Sequence, residues 1–207
     1  MTTIIGIQGS NFALLCVDSR VSDMGDSGLA TQIYTLRESS SKIAANGKYL
    51  LGAAGDVRAI NILHHAFQPP PIAGSVKGRQ LDHFMTVSFI PALRECFDMH
   101  GYSTPDKEDK DHTAEQGSVI VCAVNGVIYI IDGDYSWMSD ASGVYSVGTG
   151  AQYALGCLTA MYPKKEITPA IAKTMALKAL SIAAKFDPYT GFPYHTFIQE
   201  SGLKKTK

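Results

Sequence analysis

Strand–turn–strand units recur along this chain and narrow its possible architectures. Residues 2–7 and Phe12–Asp18 flank the turn residues Gly9-Ser10-Asn11. Residues 42–45 and 48–51 flank Asn46-Gly47, and residues 118–124 and 127–132 flank Asn125-Gly126. Asn-Gly suits a type I′ turn because both central positions need positive φ, so both pairs read as tight hairpins. Hairpins build antiparallel sheets. The run Phe12-Ala13-Leu14-Leu15-Cys16-Val17 is apolar without alternation, which calls for cover on both faces.

Helical segments lie between the hairpins and supply that cover. Gly52-Ala53-Ala54-Gly55 leads into a helix whose N-cap is Asp56, with Ile60, Leu63 and Phe67 on one face and Pro69-Pro70-Pro71 as its stop. A second helix is expected over residues 79–100, its apolar side running through Leu81, Phe84, Met85, Phe89, Leu93 and Phe97. Pro91 should bend or split it. Further helices are expected over residues 151–161 and from Thr168-Pro169, an N-cap followed by proline at the first helical position. The apolar side of the latter includes Ile171, Met175, Leu177 and Ile182. Segments 135–138 and 145–147 continue the sheet of the preceding hairpin, and a last strand covers 194–199. Residues 19–41 read as a loop with a short strand near 33–36, and residues 103–117 as an exposed charged loop. The order implies an α+β chain forming one domain over residues 1–207. Two antiparallel sheets stack face to face with helices outside each, a four-layer αββα sandwich.

Composition removes several function classes. A formal net charge of −1 gives no basic field for nucleic acid or an anionic membrane. No apolar run approaches the ~20 residues of a membrane span, and the first residues lack the basic and apolar regions of a secretory signal. Cys16, Cys96, Cys122 and Cys157 are scattered without metal-like spacing, which suggests a reducing cytoplasm and no metal. Gly148-x-Gly150 lacks the rest of a phosphate loop, so no nucleotide cofactor is expected. His64 and His65 are adjacent on a helix and point in different directions, which favours a structural role.

The start of the chain carries the chemistry. Met1 precedes the small residue Thr2, so ordinary methionine removal would expose a threonine with a free α-amine. That amine, with an ordinary pKa of about 7.7–8.0, can take the proton of its own residue's hydroxyl. Asp18 ends the strand that pairs with the one Thr2 opens, and Lys42 begins the next hairpin. A Lys42–Asp18 pair near the amine would keep the lysine charged, discourage amine protonation and hold the threonine oxygen. Gly52 could offer a backbone N–H to an oxyanion. Taken singly, Thr2 is an ordinary β-branched strand opener, Asp18 a turn cap and Lys42 a surface lysine.

Together, several segments resemble a known family. TTIIGI, VDSR at 17–20, SKI at 41–43, LGAAGD at 51–56, VGTGAQYALG at 147–156 and FDPYTG at 186–191 are similar, in order, to the β-type subunits of the proteasome and the HslV peptidase. These belong to the N-terminal nucleophile hydrolases. The resemblance implies the αββα fold and a threonine endopeptidase with Thr2 as nucleophile, Lys42 lowering the amine pKa, Asp18 orienting Lys42 and Gly52 giving the oxyanion N–H. Thr149, Asp187 and Thr190 would support the amine and a water network, and Arg20 would hold nearby loops. Thr149 and Thr190 stand where the family has serine. As in HslV, Thr2 follows the initiator methionine directly. The resemblance further implies homo-oligomeric rings, an ATP-dependent unfoldase partner and unfolded polypeptide substrates. A non-catalytic structural subunit of the same fold is the alternative.

Overall fold

The computed structural model describes residues 1–24, 30–103, 116–162 and 166–201. β1 (Thr3–Gln8) and β2 (Phe12–Asp18) form the first hairpin. β10 (Val144–Gly148) flanks β1 and β11 (Tyr194–Glu200) flanks β2, giving the order β10-β1-β2-β11. The second sheet has the order β5-β6-β7-β8-β9, from Ile43–Asn46, Tyr49–Ala54, Val119–Val124, Val127–Ile131 and Trp137–Met138. All the pairings are antiparallel.

Apolar side chains fill three layers. Ile4, Leu15, Val17, Ile43, Val121 and Ile128 lie in a cluster shared by the two sheets. On one outer side, α1 (Val57–His65), α2 (Arg79–Phe84) and α3 (Ile90–Met99) pack Leu63, Leu81, Leu93 and Phe97 on the second sheet. On the other, α4 (Ala151–Met161) and α5 (Pro169–Phe186) cover the first sheet. The expected αββα sandwich is the observed architecture. The caps form as read: Asp56 accepts from Arg58 N, and Thr168 from Ile171 N.

Several details differ from expectation. Segments 135–138 and 145–147 part company: β9 extends the second sheet, whereas β10 crosses to the first and pairs with β1. Within the segment read as a loop with one short strand, two strands are observed. β3 (Arg20–Met24) and β4 (Ala30–Thr35) pair as a separate ribbon. Asn125 and Gly126 both have positive φ, as a type I′ turn needs. The other hairpin turns one residue later, at Gly47-Lys48, with Gly47 at φ 59°, the pattern of a II′ turn with glycine first.

The helix around Pro91 continues through a π-helical turn at Met85–Phe89. That turn contains Val87, whose carbonyl a proline four residues on would otherwise strike. On α5, small residues do the burying: Ala172, Ala176, Ala179 and Ala183 join Met175 and Leu180, while Ile171 is exposed. The charged segment 104–115 lies outside the described residues. No helix of the described residues is long and apolar enough to cross a membrane.

Candidate active site

Register brings the N-terminus to Asp18. Ile4 pairs with Val17, so Thr3 lies across from Asp18, and the Thr3 N–H donates to Asp18 Oδ1 at 2.9 Å. Asp18 Oδ2 accepts from the N–H groups of Arg20 at 3.0 Å and Gly191 at 3.1 Å. Lys42, one residue before β5, donates to Asp18 Oδ1 at 2.7 Å. Asp18 is 0% exposed and Lys42 1%, so water takes little part in this pair.

Lys42 Nζ also donates to the Arg20 carbonyl at 2.5 Å and the Met1 carbonyl at 3.0 Å. Three acceptors around one nitrogen require three N–H groups, which only the ammonium has. Burial pulls the Lys42 pKa below its ordinary value and Asp18 opposes that pull. The half-buried N-terminal amine is also held below its ordinary 8.0, first by desolvation and then by the nearby Lys42 charge.

The other flank of Thr2 is built by the turn from β10 into α4 and the segment after α5. Thr149 N–H donates to the Thr2 carbonyl at 2.9 Å, and Thr149 Oγ1 donates to Asp187 Oδ2 at 2.7 Å. Thr190 Oγ1 reaches the same carboxylate oxygen at 2.6 Å, and Tyr189 N–H donates to Asp187 Oδ1 at 3.1 Å. Both threonines, at positions where the resembled family has serine, thus place their hydroxyls on Asp187. Arg20 Nη1 donates to the Pro188 carbonyl at 2.6 Å, which ties this segment to the Asp18 side.

An open pocket of about 350 Å³ is lined by Met1, Thr2, Ala54, Gly55, Gly148 and Thr149. Gly52 is not among them. It lies within β6, paired with Ile43 on one side and Val121 on the other, and a side chain there would meet Ile4. Gly55 lies past the end of β6 at the pocket wall, with φ at +147°. Ala53 N–H donates to the Lys42 carbonyl at 3.3 Å. Strand alternation carries the next N–H but one, that of Gly55, to the same edge, beyond the start of β5. Thr2, Asp18, Lys42, Thr149, Asp187, Thr190 and Arg20 are therefore brought together, while Gly52 is set apart.

The fold places two further residues at this site. Gly55 was visible as the last glycine before the Asp56 cap, but seeing that it, and not Gly52, reaches the pocket wall required knowing where β5 begins. Thr3 signalled nothing beyond a second threonine. It is buried, and its hydroxyl touches both Gly150 and Thr190. Among the described residues, no group of three or more His, Cys, Asp or Glu side chains is arranged to hold a metal ion.

No protein-family model matches the chain, and no curated protein matches its sequence. Solved structures do match. Thiobacillus denitrificans BPH in complex with Epoxomicin aligns at 19% identity over 97% of this chain and 100% of its own, with a TM-score of 0.68. Eukaryotic HslV from Trypanosoma brucei aligns at 17% identity over 96% and 99%, with a TM-score of 0.61. The Anbu complex from Pseudomonas aeruginosa, solved as a helical assembly, aligns at 15% identity over 96% and 81%, with a TM-score of 0.61. At these identities the likeness concerns the fold alone: the chain has the αββα sandwich fold seen in HslV-like structures.

Proposed function

We propose that this chain is a threonine endopeptidase whose nucleophile is Thr2 after removal of Met1. The observation that carries the reading is Lys42. A buried ammonium, fixed by Asp18 and the Arg20 carbonyl, spends its remaining N–H on the Met1 carbonyl, directly before Thr2. Loss of Met1 would free that N–H for the Thr2 hydroxyl and turn the Thr2 nitrogen into a free amine. Desolvation and then the nearby Lys42 charge hold the Met1 amine below its ordinary value; the same surroundings would lower the Thr2 amine, in the direction a proton acceptor requires.

Thr2 Oγ1 attacks the peptide carbonyl as its proton passes to the Thr2 amine, directly or through water. The carbonyl oxygen gains the displaced electron pair and accepts from Gly55 N–H, a donor of a type worth about 10²–10³-fold in rate. The tetrahedral intermediate collapses, the leaving amine takes the proton from the Thr2 ammonium, and Thr2 holds the acyl group as an ester. Water, deprotonated by the same amine, adds to the ester and restores the hydroxyl. Asp187, Thr149 and Thr190 hold the threonine's backbone and the amine's surroundings. We further infer that copies of the chain form closed rings in the cytoplasm that receive unfolded polypeptides from an ATP-dependent unfoldase. The HslV-like fold supports this, and the likeness to the Anbu complex, itself a helical assembly, supports association of copies without bearing on closure.

A second reading follows from the same lysine. A chain that keeps Met1 has its Lys42 N–H groups occupied and lacks a Thr2 amine, so it would serve as a structural subunit. Intact mass and covalent labelling separate the two. The enzymatic reading expects Thr2 as first residue, labelling of Thr2 by a peptide epoxyketone, and loss of peptide cleavage in Thr2→Ala. A processed, assembled protein that neither labels nor cleaves peptides would leave the structural reading standing.

A further inference from the structure

We propose that Thr3 is a positioning residue of the hydrolytic site, and that its hydroxyl, not only its place in β1, sets where Thr2 stands. The proposal rests on reading Thr2 as the nucleophile.

Thr3 is fully buried at the start of β1, opposite Gly148. Its N–H donates to Asp18 Oδ1 at 2.9 Å, the oxygen that also holds Lys42 at 2.7 Å. Its Oγ1 accepts from Gly150 N–H at 3.0 Å and lies 2.6 Å from Thr190 Oγ1. The direction of that last bond follows from counting protons. Thr190 has one hydroxyl proton, and Asp187 Oδ2 takes it at 2.6 Å. Thr190 is therefore the acceptor, and Thr3 donates to it. The chain runs from Gly150 N–H through Thr3 and Thr190 to the Asp187 carboxylate, each hydroxyl accepting one bond and giving one.

Thr3 is thus joined to both flanks of the site, to the Lys42–Asp18 pair by its backbone and to the Asp187 group by its side chain. Thr2 is its covalent neighbour and is held from the other side by Thr149 N–H. Gly150 is built around the same contact. A Cβ there would lie 2.5 Å from Thr3 Oγ1, 2.7 Å from Thr190 Oγ1 and 3.0 Å from Asp187 Oδ2. A valine at position 3 keeps the shape of the side chain but neither accepts from Gly150 nor donates to Thr190. Two buried polar groups would then seek other partners, and the first residue of the strand would shift with them.

The test compares wild type, Thr3→Val, Thr3→Ser and Thr190→Val as assembled, Met1-processed proteins. Epoxyketone inactivation is resolved into reversible affinity and the rate of bond formation, alongside kcat and KM for a peptide. Thr3→Val is expected to lower the bond-forming rate and kcat by about 100-fold, the scale of a ~1 Å misplacement of a reacting group, with affinity and KM unchanged. Thr3→Ser should recover most of that loss, and Thr190→Val, which removes the acceptor of the same proton, should reproduce it. The Val variant retaining the wild-type bond-forming rate overturns the proposal. So does a loss that falls equally on affinity and rate, or one that serine does not rescue. If Thr3→Val does not fold, Thr3→Ala, which removes the same hydroxyl, decides by the same criteria. Wild-type protein that does not label defeats the nucleophile reading itself, a result distinct from labelling that ignores position 3.

Discussion

Breaking the Lys42–Asp18 pair from either end should cost stability unequally, because the two side chains serve different numbers of partners. Lys42→Met removes the ammonium and keeps the stem. Asp18 loses its cationic partner but retains the N–H groups of Thr3, Arg20 and Gly191. Stranding one member of a buried pair costs about 3–5 kcal/mol, and the three remaining donors place this variant near the low end. Asp18→Asn retains one oxygen for Lys42 and Thr3 but turns an NH₂ toward the N–H groups of Arg20 and Gly191, 3.0 and 3.1 Å away. Each of the two orphaned donors adds about 1–3 kcal/mol to a stranding cost of about 3 kcal/mol, so this variant should lose about 5–9 kcal/mol. In the double variant the stranded-charge term disappears, and the loss should fall short of the sum by about 1–3 kcal/mol. Urea unfolding at fixed protomer concentration measures all three differences. A thermal melt should show the Lys42→Met loss as a drop of about 6–12 °C for a chain of this length. Strictly additive variants, with Lys42→Met costing under about 1 kcal/mol, would refute the reasoning, since that is the behaviour of an exposed pair.

The other expectations concern the site. The rate of Thr2 labelling in processed protein should rise with pH as the Thr2 amine loses its proton, with a midpoint below 8.0, because burial and Lys42 hold the Met1 amine below that value and the Thr2 amine would stand beside the same groups; a midpoint at or above 8.0 in a labelling-rate profile counts against Lys42's role. Gly55→Ala should abolish labelling and destabilise the chain, since its Cβ would lie 2.5 Å from Ser118 Oγ and 2.8 Å from the Gly117 carbonyl. Gly52→Ala meets only the tip of Ile4 at 2.9 Å and should keep labelling at a stability cost of about 1–3 kcal/mol, read by the same urea titration. Thr2→Ala should unfold within about 1 kcal/mol of wild type in urea yet show no peptide cleavage, the separation expected of a chemical rather than a packing role.

What the sequence disclosed and what it withheld divide along physical lines. Hairpins, caps and the proline-stopped helix were legible because each is decided by neighbours: Asn125-Gly126 by φ, Asp56 and Thr168 by the first turn of their helices. The sheet to which β10 belongs was not, since joining β1 instead of β9 depends on how two hairpins stack, and no local pattern encodes that. The β3–β4 ribbon was hidden because it stands apart from both sheets, so its strands need no continuous apolar face. At the site, Thr2, Asp18 and Lys42 could be suspected in sequence order, but the separation of Gly55 from Gly52 turns on one residue of strand register. Thr3 lay deeper still. Its hydroxyl partners are 147 and 187 positions away, and only the folded chain brings them within 3.0 Å.

That distribution bears on how such a site is maintained. The ammonium of Lys42 is fixed within one half of the chain, by Asp18 and the Arg20 carbonyl. The Asp187 group is assembled from the other half, by Thr149, Tyr189 and Thr190. The two halves meet at residues 2 and 3, at Arg20 reaching Pro188, and at Gly191 donating to Asp18. A displacement of either half would therefore be felt first at the N-terminus, where the proposed chemistry requires the tightest placement.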